Sequence, residues 1–335
     1  MPPLSKPLAP TPLAILPTLA TLSSFIQAFF PIRTGDVNFL YHTPRPLVDP
    51  ATMPVRRVVL SITPTPGVYA ALSRPEVGCS LAFLHRPWQL DRRRVPRGVT
   101  VLSSHKGFDE VLTVGANFAL AERLGMKVDG GEGVVQGYKG DPDRRIGIVA
   151  EVGDAVGWQA MKERVLGEFG GQGEVEGCFG FDAEESWAAE GGGVKLEPNG
   201  GAGDACRAVA IMNAFHPEEV DRVIAMAQDR GIVSDCEDCE DYTQLLYLTG
   251  AVREPGLVYA REKRMKVICV GHKVCELWGI RYLAQRIREE YPALEVIEID
   301  EEEEPPPSKK RPAVKETTSG FGSGNEADNT KKAKP

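Results

Sequence analysis

Short apolar runs of strand length alternate with amphipathic segments of helix length along most of this 335-residue chain. The strand-like runs lie at 56–62, 81–84, 99–102, 146–152, 208–212, 245–248 and 267–270, and the helix-like segments at 18–29, 68–72, 109–124, 158–169, 217–231, 255–263 and 276–291. Such alternation is typical of a sheet whose strands are connected through the helices that cover it. The sequence therefore predicts an α/β (α+β) fold with a mixed sheet covered by helices.

The alternation weakens between residues 127 and 205, where the sequence is rich in glycine. We interpret 127–205 as a smaller middle domain or insertion. The segments 18–126 and 206–299 then form the two parts of a main α/β domain. We expect the proline-rich start, 1–17, and the polar, charged tail, 300–335, to be disordered.

Charge and hydropathy argue against several classes of protein. The net charge is −8, which is not the basic balance that general nucleic-acid binding requires. The apolar stretch from Leu13 to Phe30 is interrupted by Pro17 and lacks a convincing cleavage site, which favours a first helix capped by Thr18 over a secretory leader. We expect no membrane contact. A mitochondrial transit peptide is the remaining alternative, since the first acidic residue is Asp36.

The cysteines and the charged tail indicate the cellular compartment of the protein. The seven cysteines are odd in number and scattered, which favours a reducing compartment and hence a cytoplasmic protein. Cys236 and Cys239 have the spacing of zinc or redox motifs, but the acidic residues around them would raise a thiol pKa, so we assign no site there. The tail contains Lys309-Lys310-Arg311, which is either solvated charge or a nuclear import signal, and the tail could also contact protein partners.

Three of the five histidines follow predicted strands at or just past their ends: His85, His105 and His272. Open α/β sheets place ligand sites at the carboxyl ends of their strands. His105 has Asp109 four residues later, and His272 has Glu276 four residues later. Residues four apart share one face of a helix, so each pair can direct an imidazole and a carboxylate at one point.

Imidazole and carboxylate together suit Zn²⁺, Mn²⁺, Fe²⁺ or Co²⁺. A single pair of this kind is more often a surface ion pair on a capped helix, but the same chemistry at three strand ends favours a metal site. We exclude His42, which lies among loop-type residues, and His216, which precedes Pro217 at a predicted helix start. The sequence therefore predicts a divalent-metal site.

Several ordered motifs resemble one known family. They are Leu84-His85-Arg86-Pro87, Ser104-His105-Lys-Gly-Phe-Asp109, Gly115-Ala-Asn117, Leu120-Ala121-Glu-Arg-Leu124-Gly125, Thr249-Gly250, Gly271-His272-Lys-Val-Cys-Glu276 and Leu283-Ala284. Together with their spacing they cover roughly residues 24–299. The chain resembles a divergent eukaryotic member of the NGG-one-interacting-factor-three-like family, whose dinuclear-metal proteins are also called GTP cyclohydrolase 1 type 2.

The resemblance implies a specific set of site residues. The metal ligands of the family fall on His85, Asp109, His272 and Glu276, with Glu276 bridging two ions and His105 lining the site in a catalytic role. Where the family has a second adjacent histidine, this chain has Arg86. A guanidinium is not a metal ligand and adds positive charge, so we expect one or two ions of Zn, Mn or Fe per subunit.

The resemblance also implies architecture and activity. It implies a main domain built from both chain ends, a smaller inserted domain, and a ring-shaped homohexamer. It further implies a metal-dependent hydrolase that acts through activated water on the purine ring of GTP. A non-catalytic, metal-bound scaffold or interaction protein, with a role in transcription regulation, is the alternative, and Arg86 and the charged tail both favour it.

Overall fold

The computed structural model describes residues 16–74, 79–128, 131–170, 176–181, 205–233 and 242–302. The predictions for 1–15, for the Cys236–Cys239 pair and for 303–335 lie outside these residues. The helices are α1 (Leu19–Gln27), α2 (Pro66–Leu72), α3 (Lys106–Val111), α4 (Phe118–Arg123), α5 (Trp158–Glu168), α6 (Pro217–Asp229), α7 (Glu254–Glu262) and α8 (His272–Glu290).

The strands are β1 (Leu40–His42), β2 (Arg57–Ser61), β3 (Ser80–Leu84), β4 (Thr100–Ser103), β5 (Val134–Tyr138), β6 (Asp141–Gly157), β7 (Gly177–Phe179), β8 (Ala205–Met212), β9 (Leu245–Thr249), β10 (Lys266–Cys269) and β11 (Glu295–Ile299). They form two mixed sheets within the described residues. The predicted α/β (α+β) fold class is therefore confirmed.

The first sheet has the strand order β1-β4-β3-β2-β11. Its central strands β2, β3 and β4 run parallel, and all three are buried along their whole length, which explains why their sequences are continuously apolar rather than alternating. β11 pairs with β2 in parallel, so the two ends of the described chain meet in this sheet. The strand β11 was not predicted, because Glu295–Ile299 is a short run with two acidic residues and no regular alternation.

The second sheet has the order β5-β6-β8-β9-β10-β7. Its strands β8, β9 and β10 are parallel, while β5, β6 and β7 run antiparallel to their neighbours. The partition into 18–126, 127–205 and 206–299 stays a prediction. The long strand β6 pairs with β8 and so covers the edge of β8 that would otherwise be left without backbone partners.

The segment 109–124 was predicted as one helix and is two. α3 ends at Val111, and α4 begins at Phe118. Asn117 explains the break, because its side-chain oxygen accepts a hydrogen bond from the Leu120 amide at 3.0 Å, as an N-cap does. Its amide group also donates to the Thr113 carbonyl at 2.9 Å. The predicted first helix and its Thr18 cap are confirmed, since the Thr18 hydroxyl accepts from the Thr21 amide.

Helix α8 lies between the two sheets. Val274, Cys275 and Trp278 pack into the core of the second sheet. Leu277, Ile280, Leu283, Ala284 and Ile287 pack into the core of the first. A helix that is buried on both faces lacks the single apolar stripe of a surface helix. α8 therefore holds the two sheets together and fixes where its own first turn lies.

Gly279 permits the close approach of α8 to α3. A Cβ atom at this position would lie 2.5 Å from the carbonyl oxygen of Leu112 and 2.6 Å from the ring of Phe108. Since the first of these is a backbone atom, it cannot move aside without shifting the end of α3. Gly279 thus sets the spacing between α8 and the loop that follows α3.

We expect Gly279→Ala to lower the free energy of unfolding by about 1–3 kcal/mol, because the added methyl group forces the two helices apart. The matched control is Gly167→Ala in α5, where a Cβ atom would meet nothing within 4 Å. Alanine is the better helix former, so the control should be stabilised by about 0.5–1 kcal/mol. Urea unfolding of both variants measures the difference, and changes of equal sign would show that Gly279 has no packing role.

Candidate metal centre

His85 lies at the centre of the site. It directly follows the buried strand β3, and its own side chain is fully buried. Its Nδ1 lies 3.1 Å from the Ser104 carbonyl oxygen and, as the protonated nitrogen, donates to it. When the ring is neutral, as a metal ligand must be, this hydrogen bond leaves the lone pair on Nε2. Nε2 in turn points at two carboxylates.

The first carboxylate belongs to Asp109, on α3. Its Oδ1 lies 3.3 Å from His85 Nε2, and its Oδ2 lies 3.8 Å from His105 Nε2. His105 is the N-cap residue of α3, so it and Asp109 share one face of the helix, as their spacing predicted. One ligand atom from each of His85, His105 and Asp109 lies within 4.8 Å of the others. This cluster could hold a metal ion.

The second carboxylate belongs to Glu276, in the first turns of α8. Its Oε1 lies 3.1 Å from His85 Nε2 and 3.3 Å from His272 Nε2. The Glu276 side chain is 1% exposed, whereas that of His272 is 63% exposed. Gly271, with a φ of 91°, directs the chain from β10 into α8 and so places His272 at the surface end of the site.

Arg86 contacts the same buried carboxylate. Its Nη2 donates to Glu276 Oε2, so the two oxygens of Glu276 have different partners: imidazoles at Oε1 and a guanidinium at Oε2. The Arg86 side chain is mostly buried as well. A charge-assisted hydrogen bond in such a setting is strong, because little water competes for it. The position at which the sequence departs from the family motif therefore lies inside the site.

The close approach of these groups changes their proton affinities. Burial by itself would lower the pKa of His85, but hydrogen bonds to Asp109 and Glu276 outweigh burial and raise it to about 9. Burial would raise the pKa of the Glu276 carboxyl, yet hydrogen bonds from His272 and His85 hold it far below its usual range. Burial lowers the pKa of His105. The hydrogen bond to Glu276 raises the pKa of His272.

All five residues that the sequence singled out therefore meet at one place. His85, His105 and Asp109 form the tightest group, and Glu276 and His272 lie on the other side of His85. Their assignment as ligand or catalytic group stays a prediction. The two excluded histidines do not join the site: His216 is the N-cap residue of α6, and His42 ends β1.

Sequence reasoning missed Asp36, which holds the start of α3 in place. Its carboxylate accepts hydrogen bonds from the backbone amides of His105, Lys106 and Gly107 at 2.9–3.1 Å. Burial would raise the pKa of Asp36, but these bonds lower it. Helix-capping residues are usually recognised directly before the helix, and this one comes from about 70 positions earlier, so no local pattern indicates it.

The same loop also holds the far end of α3. Arg33 forms two hydrogen bonds with Glu110, which follows Asp109 and has a side chain that is 1% exposed. Arg145, on β6, donates to Glu110 as well. The loop 33–36 therefore forms hydrogen bonds with both ends of α3. This helix and its N-cap residue supply two side chains of the candidate metal centre.

The sequence also did not indicate Trp88, whose ring lies edge-on to that of His105 with the centroids 4.7 Å apart.

Solved structures with the same fold are found, although no protein-family model and no curated protein matches the sequence. A structural-genomics protein of unknown function, ybgI, has a TM-score of 0.50 at 16% identity, over 85% of this chain and 99% of its own. HcgD from Methanocaldococcus jannaschii, in a reduced form, has a TM-score of 0.50 at 15% identity, over 86% and 99%. A Bacillus cereus protein related to NIF3 has a TM-score of 0.47 at 12% identity, over 87% and 99%.

The chain thus shares its fold with ybgI and with HcgD, each at a TM-score of 0.50. These similarities show a shared fold across nearly the whole length of each neighbour. The arrangement of His85, Asp109 and Glu276 is observed in this chain itself and does not depend on the comparison with these neighbours.

We expect Asp36→Ala to weaken Zn²⁺ binding by about 10–100-fold, because the groups that orient ligands typically matter to this degree. Asp36→Asn keeps one acceptor oxygen and should lose less. Asp49→Ala is the matched control, since Asp49 also accepts a backbone hydrogen bond, but in a different loop. Titration against a chromophoric Zn²⁺ chelator measures the affinities. If Asp36→Ala and Asp49→Ala bind Zn²⁺ equally well, Asp36 does not position the site.

Proposed function

We propose that this protein binds a divalent transition-metal ion through His85, Asp109, His272 and Glu276 and is a metal-dependent hydrolase in which His105 transfers protons. The observation that carries this proposal is the geometry of His85: a fully buried imidazole, fixed by the Ser104 carbonyl, with its Nε2 3.1 Å from the Glu276 carboxylate and 3.3 Å from the Asp109 carboxylate. Zn, Mn and Fe ions all suit this mixture of nitrogen and oxygen donors.

The residues fit such an ion in charge as well as in geometry. Asp109 and Glu276 direct two carboxylates at one imidazole nitrogen, a position that favours positive charge, and Arg86 contacts only Glu276 of the two. His105 adds a second indication, because its Nδ1 is buried and has no hydrogen-bond partner among the described residues. Nearly all buried polar atoms have partners, so this nitrogen supports a role that the protein side chains alone do not satisfy.

In hydrolysis, a bound divalent ion supplies Lewis-acid activation of water. The protein's own residues then orient the reactants and move protons. His105 suits this second task, because its side chain is 31% exposed and reaches both Asp109 and the surface. Arg86 provides a fixed positive charge beside Glu276, which would stabilise negative charge that develops on a substrate. The purine ring of GTP as the substrate stays a prediction from the family resemblance.

One observation favours a second function, that of a non-catalytic metal-bound scaffold. Arg86 occupies Glu276 Oε2, and this leaves Glu276 fewer free lone pairs for a second ion. A site that holds one ion instead of two can still tie α3 and α8 together. Self-association into a hexamer, nuclear entry and partner binding through the tail are proposals that accompany either function. A screen of phosphate-ester and purine-ring hydrolysis with the metal-loaded protein separates catalyst from scaffold.

We expect Glu276→Gln to lose more metal than His105→Gln. Glu276→Gln removes a charge and leaves the Arg86 guanidinium facing the ion, whereas His105→Gln removes a neutral group. Elemental analysis after mild purification, followed by Zn²⁺ rebinding, measures the difference. Equal losses would show that His105 is itself a principal ligand. A wild-type protein that neither carries nor rebinds Zn²⁺, Mn²⁺ or Fe²⁺ would exclude the metal centre altogether.

We expect Arg86→His to raise the metal content toward two ions per chain, because it adds an imidazole and removes a repelling charge. Arg86→Met is the matched control, since it removes the same charge without adding a strong ligand for these ions. Metal titration of both variants distinguishes the two effects. An equal rise in both would mean that the charge alone matters, and no rise in either would mean that residue 86 is not part of a second metal position.

A further inference from the structure

Five exposed arginines lie on the loop between β3 and β4 and on the segment that follows β1. They are Arg45, Arg92, Arg93, Arg94 and Arg97, and we call them the arginine patch. In the part of the chain that the structure describes, none of the five forms an ion pair with a carboxylate. Arginines elsewhere do so repeatedly, among them Arg33, Arg57, Arg123, Arg145 and Arg288. The patch is thus a local concentration of positive charge on a chain whose net charge is −8.

Two arginines of the patch, Arg92 and Arg94, pack on aromatic rings. The guanidinium of Arg92 lies 5.1 Å from the centre of the Tyr41 ring, and that of Arg94 lies 4.1 Å from the centre of the Tyr69 ring. The Tyr69 hydroxyl also accepts a hydrogen bond from the backbone amide of Asp91, which anchors the loop. Cation–π contacts of this kind orient a guanidinium without neutralising it. These two arginines are therefore prepared for an anionic ligand.

Trp88 adds an exposed aromatic surface to the same loop. It is 55% exposed, an unusual degree for tryptophan, and its ring meets the ring of His105 edge-on. The loop thus offers positive charge and an open aromatic face within ten residues of each other. Proteins that bind single-stranded nucleic acids use this combination, because phosphates contact arginine while bases stack on aromatic rings.

We propose that the arginine patch, together with Trp88, binds single-stranded nucleic acid. The segments 43–50 and 85–99, which carry the patch, contain no lysine, and this agrees with a phosphate ligand, since the planar guanidinium binds phosphate through two hydrogen bonds and also stacks on bases. A duplex fits less well, because the patch lies on irregular segments rather than on a helix or ribbon that could enter a groove. The overall negative charge confines binding to this face.

The test uses the full chain, with its own tail present in every variant. Fluorescence anisotropy of 20-nucleotide oligo-dT and oligo-U, each labelled with fluorescein, measures binding at several salt concentrations. We expect the triple variant Arg92→Ala, Arg93→Ala, Arg94→Ala to bind about tenfold or more weakly near 0.1 M salt. The dependence of log affinity on log salt should also become shallower by about 2, since each lost phosphate contact on a single strand removes roughly 0.7.

The matched control removes three exposed arginines from other parts of the surface: Arg207→Ala, Arg253→Ala and Arg286→Ala. It changes the net charge equally and should bind like the wild type. A second readout uses Trp88→Leu, which should weaken binding about five-fold or more and abolish the quenching of tryptophan fluorescence by the oligonucleotide. Quenching depends on base stacking, so a purely structural role of Trp88 would not produce it.

Three results would overturn the proposal. The control variant could lose as much affinity as the patch variant, which would mean that only total charge matters. The patch variant could bind normally, which would place any nucleic-acid contact elsewhere, including the tail. The wild type could bind neither oligonucleotide while binding oligoglutamate or vesicles that contain phosphatidylserine, which would assign the patch to a different polyanion. Preference between oligo-dT and oligo-U tells whether DNA or RNA is the better ligand.

Discussion

The buried carboxylate of Glu276 is the interaction on which the candidate site depends. One oxygen contacts two imidazoles, and the other contacts the Arg86 guanidinium. A buried carboxylate costs several kcal/mol in lost hydration unless its partners compensate for it. Those partners come from a strand end in the first sheet and from α8 itself, so the carboxylate is stable only where both are in place. The two sheets, the helix between them and the cluster around His85 thus require one another.

Support for this carboxylate extends outward from the site. Gly279 lets α8 approach α3, and the loop 33–36 fixes α3 through Asp36 and Arg33. Catalytic and metal sites need their side chains held to within about half an ångström, which loops alone rarely achieve. Here α3, the helix that carries Asp109, is only six residues long, too short to be stable by itself. Its hydrogen bonds to the distant loop 33–36 supply the stability that so short a helix lacks.

Sequence reasoning succeeded where chemistry is local. Apolar runs gave the buried strands β2, β3 and β4, and the four-residue spacing of His105 with Asp109 put both side chains on one helix face. It failed where partners are distant or patterns are weak. The pairing of β11 with β2 joins segments about 240 residues apart, and β6 has no alternation clear enough to reveal its 17-residue length. Asp36 was not predicted to cap α3 because it lies about 70 positions before that helix.

The position of Glu276 has a consequence for the order in which the chain folds. His85 and Glu276 are 191 positions apart, so strands β1 to β4 of the first sheet leave the ribosome long before α8 exists to cover them. Until then the apolar face that Ile280, Leu283 and Ile287 later bury is open to water and to other chains. An ion that needs Glu276 as a ligand can bind only after α8 has been synthesised. Metal uptake would therefore mark the completion of the fold.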